Sequence, residues 1–318
     1  MLNPDTVIWR DELILTRDIG IAGDRAIFYE RVRKGEFVAL RRGVYVAGPR
    51  WRVLSASEQY RLRVLAAVAF SKSPLIVSHV SAASLWDLPW FSPYPRAIHV
   101  MEVAANGGRS SSALARHTFG LPDDYETIDG VSVTSLARTV IDIARSASFT
   151  QAVAIADAAL RRTIVPWDGV PRSTLESADL DIELEKFSVS QGAARSRRVI
   201  EFANGLADRP GESVSRVNVS LARLSPPELQ VPLRGSSGRV WRVDFWWPAF
   251  NLIGEFDGKA KYTDQRYLRG RTPQEVLYDE KMREDDLRAA EHRFTRWPWE
   301  VAISMPRLRR HLIAAGLR

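Results

Sequence analysis

Aromatic and branched residues dominate from Trp241 to Trp247 and again from Leu252 to Asp257, and Pro248 to Asn251 separate the two runs. Such runs read as β-strands, and the short Pro-led break between them reads as the connection of an antiparallel hairpin. Period two then sorts the side chains. Val243, Phe245 and Trp247 are expected on one face, with Arg242, Asp244 and Trp246 on the other. On the second strand Leu252, Gly254 and Phe256 share a face, opposite Glu255, Asp257 and Lys259.

Elsewhere the apolar spacing is mostly helical. Gly192 to Leu206 reads as a helix bearing Arg195, Arg197 and Arg198, and another begins near Glu212 with Val214, Val217, Leu221 and Leu224 on one side. Thr272 to Glu275 (TPQE) is a capping box with Pro at the first helical position, opening a helix to about Glu291. His292 to Trp297 follows as a strand and Met305 to Ala315 as a basic helix. In the middle of the chain, Ser57 to Phe70 is a helix, and an apolar strand after Pro74 runs into a short helix before Pro89. Ala97 to Val103 is a further strand, and two helices lie within Ser132–Arg145 and Ala152–Ile164, the first capped by Thr134 or Ser135.

At the N-terminal end the order is a short helix from Thr16, a turn at Ala22 and Gly23, a helix from Asp24 to Arg33 capped by Asp24, and a hairpin from Phe37 to Val46 turning near Arg41 to Gly43. Helix, turn, helix and wing is the order of a winged helix-turn-helix, whose second helix enters the major groove while the wing lies on phosphate. Arg25, Arg31, Arg33 and Lys34 would serve that helix and Arg41 and Arg42 the wing tip, chiefly as phosphate contacts. A winged fold used only to bind protein is the alternative.

The expected class is therefore α+β and multidomain: a winged helix-turn-helix at 1–50, a middle mixed α/β domain at 51–165, an acidic linker at 166–188 and a C-terminal domain at 189–318. A hydrophobic fraction of 45% and a charged fraction of 26% suit globular domains with their own cores. The absence of Cys excludes disulfides, thiolate zinc sites and cysteine nucleophiles. The longest apolar run, Val64 to Phe70, is too short to span a bilayer, and the N-terminus lacks the apolar core of a secretory signal, so a cytoplasmic protein with no membrane partner is expected. A net charge of +7 favours polyanions without identifying one.

Carboxylates are unfavourable in strands, so Asp244, Glu255 and Asp257 on one side of a hairpin call for solvent or a cation. Their hard oxygens suit Mg²⁺ (or Mn²⁺), and Lys259 would stand beside a metal-bound water and a phosphate, the equipment of phosphodiester hydrolysis. The rival reading is a hydrated hairpin with an Asp-Gly turn at Asp257 and Gly258. Arg138, Asp142 and Arg145 share one helix side, and with His79 and His99 they read as structural groups. The five histidines are dispersed in sequence, so no zinc site is expected.

An Asp on one strand and Glu-x-Asp-Gly on the next resembles the PD-(D/E)xK nuclease superfamily, in particular its Vsr-like, restriction-endonuclease-like branch. This resemblance covers roughly residues 190 to 318. It implies a central sheet flanked by helices, with Asp244, Glu255 and Asp257 as Mg²⁺ ligands. Lys259 is then catalytic, or the third position of a motif read as Asp257-x-Lys259, and Glu212 is the acidic residue of the preceding helix. No Pro precedes Asp244, a departure from the name-giving motif. Roughly residues 1 to 165 resemble the AbiEi antitoxins of toxin-antitoxin systems, which implies DNA and a cognate toxin protein as partners and leaves the oligomeric state open. The combined expectation is a DNA-binding protein with a Mg-dependent endonuclease domain; the alternative is an antitoxin-like repressor whose nuclease-like domain no longer cuts.

Overall fold

The computed structural model describes residues 9–20, 22–71, 73–101, 112–118, 125–161, 175–187, 191–258 and 272–318. The chain divides into two compact units, Met1–Ala203 and Asn204–Arg318. Both mix helices with sheet. No described helix is long and apolar enough to cross a membrane.

The first unit opens with a three-stranded sheet of β1 (Ile14–Leu15), β2 (Phe37–Arg41) and β3 (Val44–Ala47) in the order β1-β3-β2, with α1 (Ala22–Arg33) packed against it. Phe28 fixes α1 to the hairpin, its ring 4.9 Å from that of Phe37 and 5.0 Å from that of Tyr45. The expected helix from Thr16 is absent, because Ile14 and Leu15 pair with Tyr45 and Val44 and the Thr16 amide donates to the Gly43 carbonyl. Since α1 begins at Ala22, Asp24 sits in its first turn rather than capping it.

Next come α2 (Gly48–Val53) and α3 (Ala56–Phe70), whose start is fixed by a capping box of Ser55 and Glu58. A five-stranded sheet is built from β4 (Ile76–Val77), β5 (Ile98–Met101), β6 (Leu114–His117), β7 (Tyr125–Ile128) and β8 (Val131–Thr134) in the order β6-β5-β4-β8-β7. Its helices are α4 (His79–Leu85), α5 (Leu136–Ser146), capped by Ser135, and α6 (Phe149–Leu160). Strands β6 to β8 are not predicted by the sequence pattern. Asp129 and Gly130 join β7 to β8 with φ of 50° and 68°, the left-handed pair that a tight hairpin requires.

Two expectations about organisation are corrected. Residues 1–50 do not stand apart from the middle region, because Arg41 of β2 donates to the carbonyl of Ala67 on α3 at 3.2 Å. The segment read as an acidic connector with one helix holds α7 (Ser177–Glu185), which packs into this unit by burying Leu180 and Leu184. The helix α8 (Ala193–Phe202) also belongs to this unit: it buries Val199 and Ile200, and Phe202 meets Phe149 of α6 edge to face. The division thus falls after α8, not at residue 188.

The second unit contains α9 (Pro210–Leu221), β9 (Glu228–Arg234), β10 (Val240–Trp247), β11 (Leu252–Asp257), α10 (Pro273–Ala289), β12 (Arg293–Pro298), α11 (Trp299–Ala302) and α12 (Met305–Ala314). The expected hairpin is β10 and β11, and β12 adds in parallel to β11, giving the order β12-β11-β10-β9. One core cluster joins Phe245, Trp247, Leu252, Phe256 and Trp297 to Val219 of α9 and to Leu308 and Leu312 of α12. The other joins Val243 and Ile253 to Leu287 of α10. Helices therefore pack against both faces of the sheet. Simple alternation fails at one point, since Val243 packs with the second cluster while Phe245 and Trp247 pack with the first. The cause lies between them: the β9–β10 ladder pairs Val243 with Val231 and Phe245 with Leu229 but skips Asp244 and Gln230, and Gln230 has φ of 54°.

Candidate functional site

The interruption at Asp244 creates the first candidate site, in the second unit. Asp244 Oδ2 accepts the Phe256 amide at 3.0 Å, so its carboxylate lies where β10 and β11 part. Glu212, in the first turn of α9, is 3% exposed, and its Oε2 accepts the Asp208 amide at 2.9 Å and the Gln230 side-chain amide at 3.0 Å. Burial first, and then the charge of Asp244, push the Glu212 carboxyl up to about 8. Glu255 is 1% exposed. Burial raises its pKa and Asp244 adds to this, while Arg283 and Arg296 oppose it. Three elements thus bring Glu212, Asp244 and Glu255 into one electrostatically coupled group.

The structure corrects the expected ligand trio in one respect. Glu255 is already committed: Arg283 of α10 pairs with Oε1, and Arg296, its register partner on β12, pairs with Oε2 at 3.0 Å. Asp244, Glu255 and Asp257 do not close on a common point with oxygens all within 4.8 Å of one another. The two guanidiniums explain this, since they draw Glu255 into a network with Glu284, 3.3 Å from Arg296. Asp257, two residues further along β11, keeps a buried Oδ1 without a hydrogen-bond partner. Lys259 lies outside the described residues.

The basic residues of the N-terminal sheet and helix divide into two kinds. Arg25, Arg31, Arg33 and Lys34 are exposed on or just after α1, as is Arg42 in the β2–β3 turn. Arg31 pairs with Glu36 at 2.7 Å and Lys34 with Glu30 at 2.9 Å, exposed pairs that cost little to exchange for phosphate. Arg41 is different. Its guanidinium lies 4.5 Å from the centroid of the Phe70 ring and donates to Ala67, so it anchors β2 to α3 and is withdrawn as a wing-tip contact.

A second cluster lies in the first unit, formed by His79 and His99, which read as structural groups in the sequence, and by His117, which the spacing of the histidines left apart from them. His79 opens α4, His99 is on β5 and His117 ends β6. Parallel pairing of β5 with β6 sets His99 Nδ1 3.0 Å from His117 Nε2, and the His79 ring stacks on that of His117 with centroids 3.7 Å apart. One ring nitrogen from each lies within 4.8 Å of the other two; among the described residues this is the one group of three or more His, Asp or Glu side chains so placed. Burial lowers the pKa of all three, that of His99 to about 4, and the neighbouring histidines, Arg138 or Arg145 add to the effect. The imidazoles are therefore neutral at pH 7, with lone pairs to offer. Asp142 of α5, 1% exposed, takes the Arg138 Nε–H on Oδ1 at 2.9 Å and holds Oδ2 3.6 Å from His79 Nδ1. The cluster borders a cavity of about 990 Å³ whose wall includes Arg116, Arg138, Arg145 and Arg195.

Comparison with known proteins gives likeness without an activity. The chain is 29% identical over 161 residues to uncharacterized protein MT2308 of Mycobacterium tuberculosis (strain CDC 1551 / Oshkosh), and to the same extent to uncharacterized protein Rv2248 of Mycobacterium tuberculosis (strain ATCC 25618 / H37Rv). Each match takes in 51% of this chain and 55% of the relative, so the chain spans about half the length of the curated relatives it matches. No family model matches.

Proposed function

We propose that the protein binds DNA and that its C-terminal unit is a Mg²⁺- or Mn²⁺-dependent phosphodiesterase of the Vsr-like, restriction-endonuclease-like kind. The observation that carries this reading is the coupling of buried Glu212 to Asp244, with Glu255 in the same field. Carboxyl groups that repel one another in a low-dielectric setting require a proton or a cation. The orphaned Oδ1 of Asp257 and the hard oxygen chemistry of the set fit a magnesium ion. A compact cage is not required, because Mg²⁺ is commonly held by one or two carboxylates, waters and the substrate's phosphate. Asp244 and Asp257 are the residues that would hold it, with Glu255 steadied beside them by Arg283 and Arg296. When bound, the ion supplies a water of lowered pKa and positive charge for the phosphorane.

Glu212, whose carboxyl burial and Asp244 push up to about 8, would hold a proton beside Asp244 and would give it up to solvent were a cation bound there. Lys259 keeps its expected role in stabilising the attacking oxygen or the phosphorane. Binding of the duplex is assigned to Arg25, Arg31, Arg33, Lys34 and Arg42 as phosphate contacts. Incubating the full chain with supercoiled plasmid and Mg²⁺ or Mn²⁺ should give nicked product. Asp244→Asn, Asp257→Asn and Lys259→Ala should abolish the cutting while a gel shift in EDTA persists. Equal cutting by wild type and variants would remove the assignment.

A second reading is favoured by one specific feature, the neutralisation of Glu255 by two arginines. In it the chain is an antitoxin-like repressor, with a toxin protein as partner, and the C-terminal unit keeps its sheet without the reaction. Reversible promoter binding with no nicking under any divalent metal is the outcome that selects it.

A further inference from the structure

The histidine cluster has no part in that reading and lies in the other compact unit. We infer that His79, His99 and His117 form a binding site for a divalent transition-metal ion, Zn²⁺ above all, with a fourth coordination position open to the adjoining cavity. The donor set argues for the metal class. Three imidazoles suit Zn²⁺ and its neighbours and are poor ligands for Mg²⁺, so this site and the carboxylate group would not compete for one ion.

The spacing supports the assignment. Tetrahedral coordination with Zn–N bonds of 2.0–2.1 Å places ligand nitrogens about 3.3 Å apart, and His99 Nδ1 already stands 3.0 Å from His117 Nε2. His79 Nδ1 is turned towards Ser78 Oγ at 3.1 Å and Asp142 Oδ2 at 3.6 Å, which leaves its Nε2 for the metal. Stacked rings present their lone pairs side by side, so ligation turns the His79 or His117 ring about χ2, a soft torsion.

Two independent features point the same way. Asp142 is buried with Oδ2 lacking a hydrogen-bond donor, and it faces the far nitrogen of His79, the position of a carboxylate that orients a metal-bound imidazole. His79 also has φ of 51°, a left-handed conformation that is costly for a non-glycine residue and persists where the surroundings impose it.

Cations nearby would oppose a metal, and their partners decide how far. Arg138 is paired with Asp142 and lies 4.0 Å from Glu183, so much of its charge is offset.

The test uses the untagged full chain, stripped with EDTA, dialysed against Zn²⁺ or Co²⁺ and analysed for metal by plasma mass spectrometry. About one equivalent per chain is expected, with the visible bands of four-coordinate Co²⁺. His79→Ala, His99→Ala and His117→Ala should each lose it, and Asp142→Asn should weaken the affinity by about 10- to 100-fold. No uptake by wild type, six-coordinate Co²⁺ bands, or uptake undiminished in all three histidine variants would overturn the site. The wild-type cobalt spectrum decides the matter even if an alanine variant does not fold.

Discussion

Glu212 shows how single residues in this protein answer to opposing influences. Its place in the first turn of α9 and the amide of Asp208 favour the charged carboxylate, yet burial and Asp244 prevail and the proton stays until about pH 8. The unfolded chain releases that proton near 4.5, so between these values the folded state binds more protons than the unfolded one and stability falls as pH rises. A difference of this size is of the order of a few kcal/mol, at about 1.4 kcal/mol per pH unit. The Tm of wild type relative to Glu212→Gln should therefore decline from about pH 5 to pH 8 and level off above, with Mg²⁺ or Mn²⁺ reducing the decline; parallel melting curves for the two proteins would refute the coupling. Asp244 and Glu255 stood out in the sequence because carboxylates are out of place in strands, whereas Glu212 entered only through the resemblance to the nuclease superfamily. The arginine pair on Glu255 was not legible, since it depends on where α10 and β12 carry Arg283 and Arg296. Nor could residue type tell Arg41 from Arg42, one an anchor on Ala67 and the other exposed. The three histidines lay hidden for the same reason: only the pairing of β5 with β6 and the entry of α4 bring them together.

Among the elements, those with strong local signals were readable. The hairpin of β10 and β11, the capping box of Thr272 and Glu275 and the Ser135 cap of α5 all arise from side-chain type at fixed spacing. Short strands were not, because β6, β7 and β8 have only four residues each and draw their order from neighbours in the sheet. Period two also failed at Asp244, where the unpaired position moves Val243 to the other core cluster. Gly254 shows what the hairpin demands of its sequence. A Cβ there would stand 2.7 Å from the Trp247 ring and 2.8 Å from the Trp297 ring, and both rings are fully buried. Neither indole can retreat, so Gly254→Ala should destabilise the unit by about 1–3 kcal/mol. A lower urea midpoint with an unchanged slope is the expected record, and an unchanged midpoint would mean that the indoles yield. On the other unit, Ser55→Ala removes the side chain that accepts the Glu58 amide and should cost about 1 kcal/mol, read in the same way.

At the scale of the whole molecule the decisive element is α8. Composition placed it with the nuclease-like half, since an acidic stretch with two prolines precedes it and reads as a connector. Packing places it with the first unit, where Val199 and Ile200 are buried, Phe202 meets Phe149, and Arg198 lies 4.7 Å from the centroid of the same Phe149 ring. Charge along a helix reports its exposed face, whereas the unit it belongs to is set by its buried one, and here the buried face carries only a few apolar residues. Burying an aliphatic side chain of this size contributes about 1.5–3 kcal/mol, so Val199 and Ile200 together form a substantial part of what a domain of ordinary stability holds in reserve. Cutting the chain at the two places should therefore give different results. Fragments 1–203 and 204–318 should each fold, with dispersed amide spectra and cooperative melting. Fragment 1–188 should instead expose the α5 and α6 surfaces that α8 covers, bind a hydrophobic dye and melt earlier than 1–203, while 189–318 should carry α8 as a frayed, protease-sensitive extension. If 1–188 proves as stable as 1–203 and 189–318 protects α8 from cleavage, the helix belongs to the second unit and the division lies where the composition suggested.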